Sequence, residues 1–176
     1  MRPLLCLALA AAGLLAQGKG QQVAYRSRIA IYDTAAKSSR VIFTAGAVWE
    51  APNWSPDGKW IYFNSSRSGG WDVWRVPASG GGPNDAKAER VTSDDLEDWF
   101  PHLTPDGKRM VWLSFPKGTP GHGSRMEGVQ LRMTSVPPGR IETLATFFGG
   151  QGTINVNSWS PDSKKFAYVI YEPIAR

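Results

Sequence analysis

The chain contains few of the residues that build most catalytic and metal centres. Its 176 residues include one cysteine, Cys6, and two histidines, His102 and His122. Cys6 lies in an apolar leader, so the mature chain is expected to have no disulfide, no catalytic thiol and no cysteine-ligated metal. The two histidines do not have a zinc-ligand spacing. We therefore expect neither a metal nor a cofactor.

The chain also lacks the Gly-x-Ser-x-Gly pentad that carries the nucleophile of α/β-hydrolases. The segment Gly121-His122-Gly123-Ser124 has residue types found in catalytic sites. It lies among glycines and prolines with no helical pattern behind it, which favours a solvated loop. We expect no catalytic residue, and the sequence favours a protein that is not an enzyme.

Basic residues are present but not clustered. The formal net charge is +5, and the longest basic run is Lys164-Lys165. Nucleic-acid-binding proteins concentrate lysine and arginine on one face or along one helix. We expect no nucleic-acid partner.

Long apolar runs are absent except near the N-terminus, where Leu4 to Leu15 is uninterrupted by polar residues. This length suits a signal peptide and is short of the roughly 20 residues that span a bilayer. We predict a signal peptide over residues 1–20 and a mature domain over 21–176, periplasmic or secreted, with no transmembrane span after cleavage. An uncleaved anchor is the alternative interpretation.

Aromatic and turn-forming residues, by contrast, are plentiful. The chain has 8 Trp, 19 Gly and 13 Pro. Many aromatics separated by frequent turn formers are typical of short strands joined by tight turns. The composition predicts an all-β fold.

One heptapeptide occurs three times. Asn53-Trp54-Ser55-Pro56-Asp57-Gly58-Lys59 recurs at residues 102–108 and 158–164, with its prolines 49 and 56 positions apart. Proline fixes φ, aspartate bonds to local backbone and glycine accepts a positive φ, so each copy predicts a tight turn. The predicted turn residues are Pro56, Asp57, Gly58, Pro105, Asp106, Gly107, Pro161 and Asp162.

An alternating aromatic or β-branched segment follows each turn, at residues 60–64, 110–114 and 166–170. Two further strand patterns follow the first two copies, which predicts β-propeller blades of four antiparallel strands. The last copy has only two strands before residue 176. Residues 28–34 and 40–44 match the missing pair, so we predict about three blades, with the N-terminal strands completing the C-terminal blade.

The motif Trp54-Ser55-Pro56-Asp57-Gly58-Lys59, followed by an aromatic strand and Asp72-Val73-Trp74-Arg75-Val76, resembles the TolB-like propeller repeat. The resemblance extends from about residue 28 to 171. Members are typically exported six-bladed propellers, sometimes fused to peptidase domains, and TolB itself is a periplasmic partner of the Tol-Pal system. The resemblance implies a scaffold that mediates protein–protein interaction in the cell envelope.

Three blades fall below the four to eight of closed propellers. The chain is then a shortened relative whose ring closes, stays open, or is completed as six blades by a homodimer. Two other interpretations remain open. One is a propeller-type hydrolase, lyase or peptidase accessory domain with a ligand in the central channel, and the other is a truncated remnant without function.

Candidate binding residues lie in the inter-blade segments, which we expect to face one mouth of the propeller. The carboxylates of residues 94–98 lack the spacing of a calcium loop and are also explained by a solvated loop. His102 is also explained by packing. The candidates are Trp49, Glu50, Asp94, Asp95, Trp99, Phe100, His102, Gln151 and Asn155.

Overall fold

A computed structural model describes residues 27–44, 49–172 and 174. The predicted signal peptide, residues 1–20, lies outside the described residues. The described residues form ten strands and two short 3-10 helices, Pro83–Asp85 and Gln151–Thr153. The strands are β1 (Ile29–Asp33), β2 (Ser38–Phe43), β3 (Trp49–Trp54), β4 (Trp60–Ser65), β5 (Asp72–Pro77), β6 (Glu89–Arg90), β7 (Glu97–Leu103), β8 (Arg109–Phe115), β9 (Met126–Ser135) and β10 (Glu142–Gly149).

The two central copies of the repeat form complete blades. The first blade is an antiparallel sheet in the order β3-β4-β5-β6, and the second has the order β7-β8-β9-β10. Each is a four-stranded meander in which consecutive strands are neighbours. The predicted all-β fold of four-stranded blades is confirmed.

The repeated turn forms because one hydroxyl and one carboxylate satisfy its backbone. In the first copy the Ser55 hydroxyl donates to Asp57 Oδ1 at 2.6 Å, and Asp57 Oδ1 accepts the backbone N–H of Lys59 at 3.1 Å. The Ser55 Oγ also accepts the N–H of Trp60 at 2.9 Å, which starts the next strand. Gly58 has the expected positive φ, 70°. The other two copies repeat these bonds.

Ser163 replaces glycine in the third turn and still adopts a φ of 62°. Its side chain has a partner there, because Ser163 Oγ accepts the backbone N–H of Asp106 at 3.0 Å. The carbonyl of Ser163 accepts a hydrogen bond from the Arg109 guanidinium. The substitution therefore links the second turn to the third.

The predicted completion of the C-terminal blade by the N-terminal strands is not formed by the described residues. Within the described ranges, strands β1 and β2 pair only with each other, and the third copy has one isolated bridge, between Trp159 and Phe166. The physical reason is position. The hairpin of β1 and β2 packs against the first blade, whereas residues 158–170, the C-terminal half-blade, pack against the second through Trp159 and Phe166. Three wedge-shaped blades would also each have to turn about twice as far as six to close a ring.

Apolar clusters fill the seams between these units. Ile29, Ile42 and Phe43 of the hairpin pack on Ile61 and Phe63 of the first blade. A second cluster fills the seam between the two blades, and a third contacts Ala51 and Trp71 on the side of the first blade and Trp159 and Phe166 of the C-terminal half-blade. Their buried members are Tyr62, Val73, Leu103, Met110 and Trp112 in one, and Trp99, Phe100, Val111, Leu113, Phe115, Val129, Leu131 and Ile154 in the other. The units therefore lie in the order hairpin, first blade, second blade, C-terminal half-blade.

Within the described ranges, no helix has the length and apolar character needed to cross a membrane.

Candidate functional site

The first strands of both complete blades have the same irregularity, and several candidate residues lie at it. The pairing of β3 with β4 shifts after Glu50, and that of β7 with β8 shifts after Trp99. The next residue has a positive φ in each case, 53° at Ala51 and 60° at Phe100. Such backbone is uncommon outside glycine, and bulges re-aim neighbouring side chains. Glu50 and Trp99 therefore occupy equivalent positions, 49 residues apart.

Trp99 and Phe100 belong to an aromatic cluster that joins the two blades. Trp71, which precedes β5, lies against Trp99 with ring centroids 3.9 Å apart. The His122 ring meets Trp99 and Phe100 edge-on, at 4.4 and 4.9 Å. Trp99 and Phe100 are only 1% and 3% exposed. These two aromatics therefore stiffen the seam and do not project towards a ligand.

His122 is the residue at this position that sequence reasoning missed. The sequence pattern favours a solvated loop for its segment, but the imidazole lies between two aromatic rings and its side chain is 15% exposed. His122 Nε2 is 2.7 Å from Glu50 Oε2, and the His122 carbonyl accepts the N–H of Gln151 at 3.2 Å. No spacing in the sequence relates residues 50, 122 and 151, so the only available signal was the residue type. The structure brings together three segments that the sequence leaves far apart.

His102 connects neighbouring units and does not face a ligand. His102 Nε2 lies 2.9 Å from the carbonyl of Ile154, and Nδ1 lies 3.1 Å from Asn53 Nδ2. The carbonyl can only accept, so Nε2 donates and the neutral Nδ1 accepts from the Asn53 amide. Burial lowers the pKa of His102, which is consistent with this neutral tautomer. The packing interpretation of His102 matches this geometry.

The acidic segment before β7 is held by internal partners. Asp94 forms an ion pair with the guanidinium of Arg132, which keeps the pKa of Asp94 low despite the desolvation that opposes it. Asp95 lies 3.2 Å from the Lys117 ammonium, and both side chains are largely exposed. A pair of this kind contributes little to stability. Within the described chain, neither of these two carboxylates contacts the aromatic cluster.

Glu97 has a structural role as well. Its Oε2 accepts the N–H of Trp71 at 2.6 Å, and its Oε1 accepts the N–H of Gly118 at 2.9 Å. One carboxylate thus holds both the loop that carries Trp71 and the start of the segment that carries His122. Glu97 therefore positions two members of the aromatic cluster.

Asp98 is the most strongly perturbed group near the seam. It is fully buried, and its Oδ1 accepts the Ser114 hydroxyl at 2.5 Å. Arg132 Nη1 is 3.7 Å from Asp98 Oδ1, and Nη2 of the same guanidinium is paired with Asp94. Burial raises the pKa of Asp98 to about 7, because desolvation outweighs its hydrogen bonds.

The remaining candidates lie at the surface or at the limit of the described chain. Gln151 and Asn155 are exposed, on either side of the buried pair Thr153 and Ile154. The backbone of Trp49 pairs with Ser65 at the start of β3, and its side chain lies outside the described residues. Glu50, Trp99, Phe100 and Gln151 are thus linked through His122, whereas Asp94 and Asp95 belong to another network. Across the residues that the structure describes, no three His, Cys, Asp or Glu side chains group as metal ligands would.

The comparisons agree with this architecture. No family model matches the chain. A protein of Agrobacterium fabrum named only as uncharacterized is 42% identical over 125 residues, which cover 71% of this chain. A solved structure assigned to TolB from Agrobacterium tumefaciens is 38% identical, with a TM-score of 0.76 over 84% of this chain. TolB from Acinetobacter baumannii, at 18% identity and a TM-score of 0.60 over 79% of this chain, shares the fold.

The chain spans about half, or less, of the length of these proteins. It covers 41% of the Agrobacterium fabrum protein, 51% of the Agrobacterium tumefaciens structure and 31% of the Acinetobacter structure.

Proposed function

We propose that this chain, which is related to the TolB-like β-propeller proteins, is a scaffold that binds a segment of a protein partner in the cell envelope. The observation that carries the proposal is the grouping of Glu50, His122 and Gln151 at the seam between the blades. Three separate segments converge there on a buried aromatic base. Binding surfaces made from loops on a rigid propeller are common, and they owe their function to the local site, not to the fold.

The polar groups at this position suit an extended peptide. The Glu50 side chain is 44% exposed although His122 fixes it, so its carboxylate can accept an N–H of a ligand backbone or pair with a basic side chain. The exposed amide of Gln151 can both donate and accept. The buried rings of Trp99 and Phe100 hold these groups in place before the ligand arrives, which lowers the entropy lost on binding.

The proposal is tested by site-specific photo-crosslinking followed by a binding measurement. A photo-crosslinking amino acid at Gln151 is compared with one at Glu142, an exposed residue of β10 in the second blade. We expect position 151 to capture a defined partner that position 142 does not. The purified partner should then bind Glu50→Ala at least about tenfold more weakly than the unsubstituted chain, and Glu142→Ala with unchanged affinity. Equal capture at both positions, or full affinity of Glu50→Ala, would overturn the proposal.

We also propose that residues 1–20 direct export to the periplasm or beyond. The proposal rests on the apolar run from Leu4 to Leu15, which has signal-peptide length. Cell fractionation with mass measurement of the accumulated protein is the test. The expected product is a periplasmic or secreted chain that lacks about 20 N-terminal residues, and a full-length cytoplasmic chain would contradict it.

A further inference from the structure

The strand segment of the third repeat copy is exposed, whereas the corresponding strands of the two complete blades are buried. By the repeat spacing, residues 165–170 correspond to β4 and to residues 109–114 of β8. Every residue of β4 and β8 except the first is buried. In the third copy residues 167–170 are all exposed, with Tyr168, Val169 and Ile170 at 39%, 50% and 57%. Tyr168 corresponds to Phe63 and Trp112, which are both fully buried.

The N-terminal hairpin, β1 and β2, also has exposed apolar side chains, and within the described residues it has an unpaired strand edge. In the first blade β5 lies between β4 and β6, but β1 pairs only with β2. One edge of β1 is therefore unpaired in the described chain, and Tyr32 and Val41 are 60% and 46% exposed. Strand β1 ends at Asp33 as β5 ends at Pro77, so Tyr32 corresponds to the fully buried Val76. Among the described residues, the hairpin is thus an outer half-blade with no inner half paired to it.

We propose that the hairpin of one copy of this chain completes the C-terminal half-blade of a second copy, and reciprocally. This inference specifies the homodimer that the sequence suggested as a partner, and it does not depend on the proposed peptide binding. The described residues of each chain form two complete blades and two complementary half-blades. Two chains related by a two-fold axis would have six blades, which is within the range of closed propellers. The exchange also removes exposed strand edges, which otherwise promote aggregation.

The register of the first blade predicts which residues meet. Trp60 is opposite Pro77, and Ile61 is opposite Val76. The corresponding pairs between copies are Lys165 with Asp33 and Phe166 with Tyr32. An ammonium group then faces a carboxylate, and an aromatic pair covers the exposed Tyr32. Both pairs occur twice in the dimer because the interface is symmetric.

The first test is the mass of the chain in solution. Sedimentation equilibrium at micromolar concentration should give twice the mass of the single chain that is used, which is 19.3 kDa for all 176 residues. A monomer under these conditions would overturn the proposal. Because no binding partner is present, this result does not depend on the outcome of the crosslinking experiment at Gln151.

The second test distinguishes strand exchange from any other dimer. Asp33→Cys and Lys165→Cys are made separately in a Cys6→Ser background, mixed and oxidised. Directly opposed strand residues have Cα atoms about 4.5–5.5 Å apart, within the range that a disulfide bridges. We expect an efficient mixed disulfide, and little from Lys165→Cys mixed with Glu142→Cys, which lies on the complete second blade. Equal yields in the two mixtures would rule out the exchange.

The third test uses neighbouring lysines. Lys165→Glu places a like charge opposite Asp33 at both junctions, so the dimer dissociation constant should rise about tenfold. Lys164→Glu makes the same change in charge one residue away, on the opposite side of the strand, and should have little effect. Adding Asp33→Lys to Lys165→Glu should restore most of the affinity. Equal weakening by the two single substitutions would contradict the predicted register.

Discussion

At the scale of single residues, two buried titrating groups lie on β7 and respond to pH in opposite directions. Asp98 carries a raised pKa and His102 a lowered one, and burial is the first cause of both shifts. They lie four positions apart on the same strand but have different surroundings. The Asp98 side chain contacts Ser114 and Arg132 of its own blade, whereas His102 contacts Asn53 of the first blade and the carbonyl of Ile154. The pH dependence of stability therefore reports on the interior of the second blade through Asp98 and on the contacts between units through His102.

Asp98→Asn is expected to reduce the loss of unfolding free energy as the pH rises. The folded pKa of Asp98, about 7, lies above the usual 3.8, so the folded chain binds the proton more tightly. The stabilising contribution is complete below about pH 4 and is lost as the pH rises through 7. Urea unfolding of the unsubstituted chain should therefore show a loss on the order of a few kcal/mol between pH 5.5 and 8.5, and Asp98→Asn should lose less. Identical profiles would contradict the assignment.

His102→Gln is expected to reduce the loss of unfolding free energy as the pH falls. The folded pKa of His102 lies below the usual 6.5, so its contribution is present above about pH 6.5 and is lost as the pH falls. Glutamine can keep one of the two hydrogen bonds, to the Ile154 carbonyl or to Asn53, but not both. We expect a loss of about 1–3 kcal/mol at pH 7.5 and a flatter acid limb in urea unfolding. His122→Gln, the other histidine, is the control and should leave the acid limb of His102 in place.

At the scale of elements, the repeated turn connects local sequence to blade geometry. Its hydroxyl both accepts the N–H that begins the next strand and donates to the aspartate, so one residue fixes the turn and the strand register. The environment differs between copies. Thr104 is fully buried, whereas the bonds of Ser160 are exposed to solvent. If the hydroxyl is removed by substitution, water can therefore replace it in the third copy but not in the second.

Thr104→Val should destabilise the chain more than Ser160→Ala. Valine keeps the shape of threonine but leaves the part-buried N–H of Arg109 without its acceptor, 3.0 Å away in the unsubstituted chain. A buried unsatisfied donor costs about 1–3 kcal/mol, whereas the exposed Ser160 network should cost less than about 1 kcal/mol. Urea unfolding of both variants is the measurement. Equal losses would mean that burial does not set the contribution of the turn.

Most elements could be predicted from the sequence because their signals are local. The proline, aspartate and glycine of each turn specify the backbone directly, and an alternating strand follows within two residues. The third blade could not be predicted in this way. Residues 166–170 have the same strand pattern as β4 and β8, but a strand needs a neighbour on each side to be buried, and that depends on distant parts of the chain. Sequence pattern therefore predicted a strand where the structure forms one bridge.

At the scale of the whole molecule, the candidate site was predictable only in part. Glu50 and Trp99 follow from the repeat spacing, which puts them at equivalent positions of two blades. The burial of Trp99, the docking of His122 and the use of Glu97 as an anchor arise from packing between blades. Such packing joins residues that are tens of positions apart, so a single sequence contains no periodic signal for it.

The seam between the two complete blades should make them unfold together. Tyr62 and Val73 of the first blade contact Leu103, Met110 and Trp112 of the second in one apolar cluster, and all five are at most 2% exposed. Because neither blade can cover this surface alone, loss of one blade exposes the other. We therefore expect circular dichroism and tryptophan fluorescence of the unsubstituted chain to report the same urea midpoint.

Trp112→Ala tests that coupling directly. Removing a fully buried tryptophan leaves a cavity in the seam, and such substitutions cost about 3–5 kcal/mol. That is a large share of the 5–15 kcal/mol by which domains are usually stable. Trp54, 48% exposed at the end of β3, offers a matched control, and Trp54→Ala should shift the midpoint only slightly. If circular dichroism and tryptophan fluorescence give different urea midpoints for Trp112→Ala, the seam is the element that joins the blades. A variant that stays as stable as Trp54→Ala would show that each blade is held by its own contacts.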